Sequence, residues 1–191
     1  MASLNSAALD QLDGAVAKPS YDRSQVTPGI VHFGVGGFHR AHQAMYLDDL
    51  MNRGEALDWG IVGVGVMPGD RRMQAALSAQ DHLYTLVIKH PEGEYQARVI
   101  GSIIDYRYAP DDIEGTLELL ADPKIRIVSL TVTEGGYNFH HVTGEFDLGN
   151  EDIKHDLASP QAPRTTFGIV AEALARRRER GIEPFTVMSC D

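Results

Sequence analysis

The sequence has little of several features that mark other classes of protein. Its single cysteine, Cys190, allows no intrachain disulfide and gives no sign of an oxidising compartment. Its 17 Lys and Arg are outnumbered by 27 Asp and Glu, and the net charge of -10 opposes binding to a nucleic-acid backbone. No apolar run approaches the roughly 20 residues that cross a bilayer, and residues 1–13 lack the basic start and apolar core of a secretory signal. We therefore expect a cytoplasmic protein without nucleic-acid or membrane partners.

Length and composition fit a protein with one large domain. The 191 residues are 43% apolar and 23% charged, which is ordinary for a globular chain with a sizeable core. Residues 1–28 are turn-rich, and we interpret them as an N-terminal arm with one short helix near residues 4–12. Residues 29–191 are predicted to form the domain itself.

A glycine-rich stretch at residues 30–43, IVHFGVGGFHRAHQ, organises the domain. It predicts an apolar strand, a turn through Gly34, Gly36 and Gly37, and a helix that continues to about Arg53. Such a turn brings backbone N–H groups to one point, where a diphosphate binds without a dedicated cation. The pattern is G-x-G-x-x-H, so the third glycine of the dinucleotide fingerprint is absent, and an ordinary strand-to-helix turn is the alternative.

The remaining pattern alternates strands and helices. Its elements are a strand at 59–66, a helix at 70–79, a β-hairpin over 83–90 and 94–104, a helix from 110 to 122, a buried strand at 125–132, a long polar loop at 137–163, a helix from 164 to 180 and a strand at 184–190. We interpret the arginine-rich end of the last helix, 176–180, as a solvated face. This order predicts an α/β, Rossmann-like, doubly wound and mostly parallel sheet with a β-hairpin insertion.

Three separated segments carry a family resemblance. GVGGFHRAHQAMYLDDLM at 34–51, TVTEGGY at 131–137 and SCD at 189–191 together resemble the mannitol dehydrogenase family of polyol-specific long-chain dehydrogenases. Within that family the chain is most similar to the mannitol 2-dehydrogenases. The resemblance covers only the N-terminal Rossmann half of such enzymes and implies that a helical C-terminal substrate domain is absent from this chain.

The resemblance implies cofactor contacts at the first turn. Besides the three glycines, it places Phe38, His39 and Arg40 along the diphosphate and the nicotinamide ribose. His39 and His42, at i and i+3, invite a metal interpretation, but no third ligand has matching spacing, so no metal is expected. For His42 structural packing is the alternative.

The loop after the second strand holds a candidate ribose-binding acid, Asp70. An acid there accepts the adenosine hydroxyls and repels a 2′-phosphate, and the family has its cofactor-selecting acid in this loop; an N-cap role is the alternative. The neighbouring Arg71 and Arg72 would tolerate a 2′-phosphate, so NAD is favoured over NADP only modestly. Gly63 and Gly65 are a rival phosphate turn, although they more readily serve the approach of the adenine half.

Further candidates follow the buried strand at 125–132. The resemblance places Thr133 and Glu134 beside the cofactor, and a plain strand-end turn is the alternative. His140 and His141 are weaker candidates.

Polyol oxidation needs a base for the hydroxyl proton, and the resemblance assigns this role to a lysine of the C-terminal domain. The chain's four lysines, at 18, 89, 124 and 154, match no such position, so we assign no catalytic residue and expect the chain to be part of a longer protein. The predicted activity is an NAD-dependent interconversion of D-mannitol and D-fructose. The alternatives are a hexuronate reductase, an arabinitol dehydrogenase, or a non-catalytic dinucleotide-binding module.

Overall fold

A parallel sheet is the centre of the computed structural model, which describes residues 4–12, 14–140 and 142–191 apart from the side chain of Glu134. The strands in chain order are β1 (Pro28–Phe33), β2 (Gly60–Gly65), β3 (Tyr84–Lys89), β4 (Tyr95–Ile100), β5 (Ile103–Tyr108), β6 (Ile127–Leu130) and β7 (Thr186–Ser189). The large sheet has the order β5-β2-β1-β6-β7 with every pairing parallel, and β3 and β4 form a separate antiparallel hairpin. The predicted α/β, Rossmann-like class with a hairpin insertion is confirmed.

Helices cover both faces of the sheet. They are α1 (Gly37–Ala41), α2 (Gln43–Asn52), α3 (Asp70–Ser78), α4 (Ile113–Ala121), α5 (Thr133–Gly136), α6 (Glu151–Ala158) and α7 (Thr166–Glu179). Short 3-10 turns occupy Ser6–Gln11, Arg23–Gln25 and Ala109–Asp111. Within the described ranges, no helix is both long and apolar enough to cross a membrane.

Alternation along β1 explains the two cores. Val31 and Phe33 belong to the cluster that packs under α4 and α7, whereas Ile30 belongs to the cluster under α2, α3 and the hairpin. The side of α2 that carries Ala44, Leu47 and Met51 packs into the second cluster and is buried. Because successive side chains of β1 point into different cores, both faces of the strand are covered, as is usual in parallel sheets.

The helix after the glycine turn is interrupted, where one continuous helix is predicted. His42 separates α1 from α2 with φ -123° and ψ -86°, outside the helical region. Its ring Nδ1–H donates to the Phe38 carbonyl at 2.9 Å, which gives that carbonyl a side-chain partner at the break.

The segment predicted as one strand over 94–104 is two strands in different sheets. The chain turns at Gly101, whose N–H donates to the buried Asp48 carboxylate at 2.9 Å, and at Ser102, whose hydroxyl donates to the Ala44 carbonyl at 2.6 Å. These contacts with α2 end β4 and let β5 join β2 as the edge of the large sheet. Tertiary contacts of Gly101 and Ser102 with α2 therefore fix the break.

The long loop predicted at 137–163 contains a helix, α6. Asn150 caps it by accepting the N–H groups of Asp152 and Ile153, and Ile153 and Asp156 are buried. Asp156 accepts the backbone N–H groups of Arg164 and Thr165 at 2.7 and 2.9 Å, so α6 is tied to the start of α7. The prediction of an unstructured loop is wrong here.

The arginine-rich end of α7 is not simply a solvated face. Arg177 is only 2% exposed, and its guanidinium donates to the carbonyls of Leu120, Asp122, Ile125 and Glu183. It also lies over the Phe185 ring at 4.9 Å.

Candidate functional site

The turn between β1 and α1 has the geometry of a phosphate-binding loop. Gly34 has φ +89°, and a Cβ there would run into the Thr131 carbonyl of the neighbouring strand. Gly36 is extended, and its N–H donates to the Gly34 carbonyl at 2.6 Å. A Cβ on Gly36 would lie 3.8 Å from its nearest neighbour, and one on Gly37 would face open space. Gly34 is thus required by the fold, whereas Gly36 and Gly37 leave an open surface.

Backbone N–H groups at this surface are free of partners in the described part of the chain. Gly37, Phe38 and His39 begin the first turn of α1, where no preceding helical carbonyl lies within reach, and no acceptor faces their N–H groups. Unsatisfied donors at the start of a helix suit an anionic ligand. The residues present therefore fit a diphosphate.

The side chain of Phe38 is exposed, whereas that of Arg40 contacts the turn. Phe38 is 61% exposed and packs at a tilt on the His42 ring, with centroids 4.5 Å apart. Arg40 folds back beneath the turn, where its Nη1 donates to the Val35 carbonyl at 3.1 Å and its guanidinium lies 5.9 Å from the Tyr84 ring centre. Arg40 thus supports the turn from below.

His39 is buried inside the domain and stacks on His32. His39 is 1% exposed and His32 is 0% exposed. The centroids of their rings are 3.6 Å apart, and the ring planes meet at 11°. In the described residues neither ring nitrogen of His39 has a hydrogen-bond partner. Any contact of His39 with a ligand in this conformation would be made by its backbone N–H.

His32 belongs to a hydrogen-bond chain that ends at the glycine turn. The Thr131 hydroxyl donates to the Gly34 carbonyl at 2.6 Å, so His32 Nε2–H donates to Thr131 Oγ1 at 2.9 Å. His32 Nδ1 then accepts from the Ser129 hydroxyl at 2.7 Å, and Ser129 accepts from Gln43 Nε2 at 3.3 Å. The network assigns this tautomer. Sequence reasoning missed His32, although a histidine at an inward position of a buried strand was a signal.

Both stacked rings are neutral at physiological pH. Burial lowers the pKa of His32 to about 4 and that of His39 to about 2. The mutual proximity of the two rings also lowers the pKa of His39. A neutral imidazole can donate from one nitrogen and accept at the other, as the chain through His32 requires.

Asp70 lies at the end of β2, where the sequence places the ribose acid. Its Oδ2 accepts the N–H groups of Val66 and Met67 at 3.0 and 2.9 Å, while Oδ1 has no hydrogen bond within the described chain. The N-cap of α3 is Gly69, so the alternative N-cap role is wrong. One carboxylate oxygen thus holds the loop and the other stays available.

Gly63 and Gly65 make room for protein side chains. A Cβ on Gly63 would come within 2.7 Å of atoms of Tyr106 and Val35, and one on Gly65 would meet Tyr106 Oη and Asp70. No helix begins directly after them, since α3 starts at Asp70. They therefore do not form a phosphate turn that opens directly into a helix, and the space above them is filled by side chains of this chain.

A cavity of about 620 Å³ opens between the segments that follow β2 and β5 on one side and residues 135–169 on the other. Met67, whose N–H donates to Asp70, is part of its lining. Its wall includes Met67, Pro68, Tyr108 and Pro110, and Thr166 of α7 lies on another side. A volume of this size suits a small organic ligand. Carboxyl ends of parallel strands are where open α/β sheets bind ligands.

The two arginines after Asp70 differ in their surroundings. Arg71 donates to both carboxylate oxygens of Asp111, at 2.9 and 2.6 Å, and lies 4.4 Å from the centre of the Tyr108 ring. Arg72 is exposed. Asp111 and Tyr108 were absent from the sequence predictions because their relation to Arg71 spans about 40 residues of chain.

The segment after β6 is held to the end of β7. Thr133 has φ +56°, and its N–H and that of Val132 donate to the Asp191 carboxylate at 3.1 and 3.3 Å. The Tyr137 hydroxyl donates to the same carboxylate at 2.7 Å and lies 2.6 Å from Ser189 Oγ. A threonine in the left-handed region is strained, and such residues cluster at functional sites.

The other candidates after β6 contribute less. The side chain of Glu134 and all of His141 lie outside the described residues. His140 is exposed, and its Nδ1 accepts the N–H groups of Val142 and Thr143 in a local turn. Across the described ranges, no three His, Cys, Asp or Glu side chains are grouped to hold a metal. All four lysines, at 18, 89, 124 and 154, are exposed.

Comparison with known proteins identifies the family. The mannitol dehydrogenase Rossmann domain model matches residues 28–191. A mannitol 2-dehydrogenase of Cereibacter sphaeroides is 52% identical over 93% of this chain and 37% of its own length. A polyol:NADP oxidoreductase of Gluconobacter oxydans is 51% identical over 96% of the chain and 38% of its own length.

Solved structures agree with these matches. The ternary complex of Pseudomonas fluorescens mannitol 2-dehydrogenase with NAD and D-mannitol has a TM-score of 0.94 and 50% identity, covering 98% of this chain and 38% of that one. A substrate-free D-sorbitol dehydrogenase has a TM-score of 0.92 and 47% identity. The chain thus spans well under half the length of the proteins that it matches. It belongs to the mannitol dehydrogenase family, as its Rossmann domain.

Proposed function

We propose that this chain is the coenzyme-binding part of an NAD-dependent polyol dehydrogenase that interconverts D-mannitol and D-fructose. The observation that carries the proposal is the open glycine turn, with the unpartnered N–H groups of Gly37, Phe38 and His39 at the carboxyl end of β1. The similarity to a solved mannitol 2-dehydrogenase with NAD and D-mannitol supports it.

Each group of the site has a role in this proposal. The surface at Gly34, Gly36 and Gly37 would receive the diphosphate, and Arg40 would keep the turn in shape from below. The free Oδ1 of Asp70 would accept the hydroxyls of the adenosine ribose, which favours NAD over NADP.

The neighbouring elements complete the coenzyme site. The cavity walled by Met67, Pro68, Tyr108 and Pro110 would enclose the adenosine end. Thr133 and Glu134 would lie beside the nicotinamide ribose, as the family resemblance implies. When bound, the coenzyme supplies the hydride acceptor for polyol oxidation.

The proton chemistry is not assigned to this chain. Removal of the polyol hydroxyl proton needs a base in reach of the reacting carbon. The four lysines are all exposed, and two of them, Lys18 and Lys154, are paired with Asp10 and Glu151. We therefore propose that a further domain supplies the base, as the resemblance implies.

Titration of NADH into the purified chain, followed by coenzyme emission, tests the proposal. We expect saturable binding and no loss of NADH when fructose is added afterwards. Trp59 precedes β2 at the amino end of the strands, stacked on Arg126 at 3.5 Å, so its emission, recorded before NADH is added, reports whether the chain is folded. A folded chain that does not bind NADH would overturn the coenzyme role, and fructose-dependent oxidation by this chain would overturn the assignment of the base elsewhere.

A further inference from the structure

The Arg71–Asp111 pair spans the rim of the cavity next to the candidate ribose acid. Arg71 follows Asp70 directly on α3, and Asp111 ends the 3-10 turn after β5. Tyr108, over which the Arg71 guanidinium lies, and Pro110 both line the cavity. The pair therefore joins the two strand ends that enclose the adenosine side of the site.

Arg71 has the chemistry and the chain position to bind a 2′-phosphate. In NADP-binding Rossmann folds an arginine near the ribose-binding position accommodates the additional phosphate, and Arg71 directly follows Asp70. A guanidinium recognises a phosphate through a planar fork of two N–H donors. In this chain that same fork donates to both oxygens of Asp111.

Asp111 opposes a 2′-phosphate in two ways. It occupies the Arg71 donors, and its own negative charge lies against Arg71, the residue that directly follows Asp70. The pair is accessible, with the side chains 57% and 47% exposed, so the contact can be exchanged for another ligand at modest cost. In the described chain the Asp111 carboxylate bonds to Arg71 alone.

We infer that Asp111 is a specificity-determining positioning residue, which disfavours NADP by holding the Arg71 guanidinium away from the 2′-phosphate. The inference rests on the proposed coenzyme site and deepens it. It assigns part of the coenzyme preference to a residue about 40 positions from Asp70 in the chain, in addition to Asp70 itself.

The test compares NADH and NADPH affinities in four variants of the chain. Asp111→Asn preserves side-chain shape but weakens the hold on Arg71, so NADPH should bind about threefold to tenfold tighter while NADH affinity changes by less than about twofold. Arg71→Ala alone should change NADPH affinity little, because its fork is already occupied. In the double variant Arg71→Ala/Asp111→Asn most of the NADPH gain should be lost.

Asp58→Asn is the matched control. Asp58 accepts Arg126 Nη1 at 2.9 Å in another exposed pair, at the amino end of the sheet and far from the cavity. Asp58→Asn removes one negative charge, as Asp111→Asn does, and the ratio of NADPH to NADH affinity should stay as in the wild type.

Each outcome bears on a different claim. An unchanged NADPH to NADH ratio in Asp111→Asn, with NADH still binding, would overturn the inference and leave the coenzyme site standing. A gain that persists fully in the double variant would assign the effect to charge alone and overturn the role of Arg71. A folded wild-type chain that binds neither coenzyme would overturn the proposed function and the inference together.

Discussion

His32 and His39 stack face to face beneath the glycine turn, with ring centroids 3.6 Å apart and both rings buried. His32 comes from β1 and His39 from α1, so the pair joins the strand and the helix on either side of the turn. The His32 ring also contacts the carbonyl of Gly34, directly at 3.3 Å and through Thr131. The turn is therefore supported by a buried polar layer whose two rings are neutral at physiological pH.

The stacked pair predicts a pH dependence of stability. The folded-state pKa of His32 is about 4 and that of His39 about 2, whereas both rings titrate near 6.5 in an unfolded chain. Below about pH 6.5 the unfolded state therefore binds more protons, and the free energy of unfolding falls by up to about 1.4 kcal/mol per pH unit for each ring. Above that pH the two rings contribute no slope.

Urea unfolding at pH 7, 6 and 5 measures this effect. The variant His39→Phe keeps an aromatic ring stacked on His32 but removes one titrating group, so its stability should fall less steeply with acid. Parallel curves for the wild type and His39→Phe would show that His39 does not titrate differently on folding.

Replacing Asp70 should change the affinities for NADH and NADPH by different amounts. Asp70→Asn keeps an oxygen that can accept the Val66 and Met67 N–H groups but removes the charge offered to the ribose hydroxyls. NADH affinity should fall about tenfold, since hydrogen bonds to charged groups are worth about 1.5–3 kcal/mol, and NADPH affinity should fall less. Equilibrium titrations of the variant with NADH and with NADPH measure both affinities. An equal loss of affinity for the two coenzymes would show that Asp70 does not bind the ribose.

Arg177 predicts a large effect on stability. Its guanidinium donates to four backbone carbonyls between α4, β6 and the end of α7, and Arg177→Ala would take this donor from the buried contacts with Leu120 and Ile125. We expect a loss of about 3 kcal/mol or more in the free energy of unfolding, because each unsatisfied buried group costs about 1–3 kcal/mol. The neighbouring Arg178 is exposed, and Arg178→Ala should cost less than about 0.5 kcal/mol. Similar urea midpoints for the two variants would contradict the structural role of Arg177.

Local sequence signals were sufficient for much of the fold. The glycine turn, the apolar face of α2 with Ala44, Leu47 and Met51, and the buried strand around Val128 all follow short-range patterns. The cap and acidic first turn of α6, Asn150 followed by Glu151 and Asp152, were also present in the sequence. That helix was missed because its polar surroundings suggested a loop.

Other features depend on partners distant in the chain. The division between β4 and β5 depends on Asp48 and Ala44 of α2, which no local pattern connects to Gly101 and Ser102. Burial of Arg177 depends on carbonyls some 55 residues earlier.

The candidate site, too, could be predicted only in part from local sequence. Its glycines and Asp70 were identifiable from spacing and resemblance, whereas the stack of His32 on His39 and the hold of Asp111 on Arg71 required the folded structure.

The most direct test of the central claim is a titration of NADH into the wild type and Gly36→Val, side by side. Gly36 has φ -92° and ψ -171°, and its added Cβ would have room, so valine should be accepted by the fold itself. Gly14→Val, at another open glycine, is the matched control. If the diphosphate binds at this turn, all three proteins fold, the wild type and Gly14→Val bind NADH, and Gly36→Val does not. Undiminished NADH binding by Gly36→Val would mean that the diphosphate binds somewhere other than this turn.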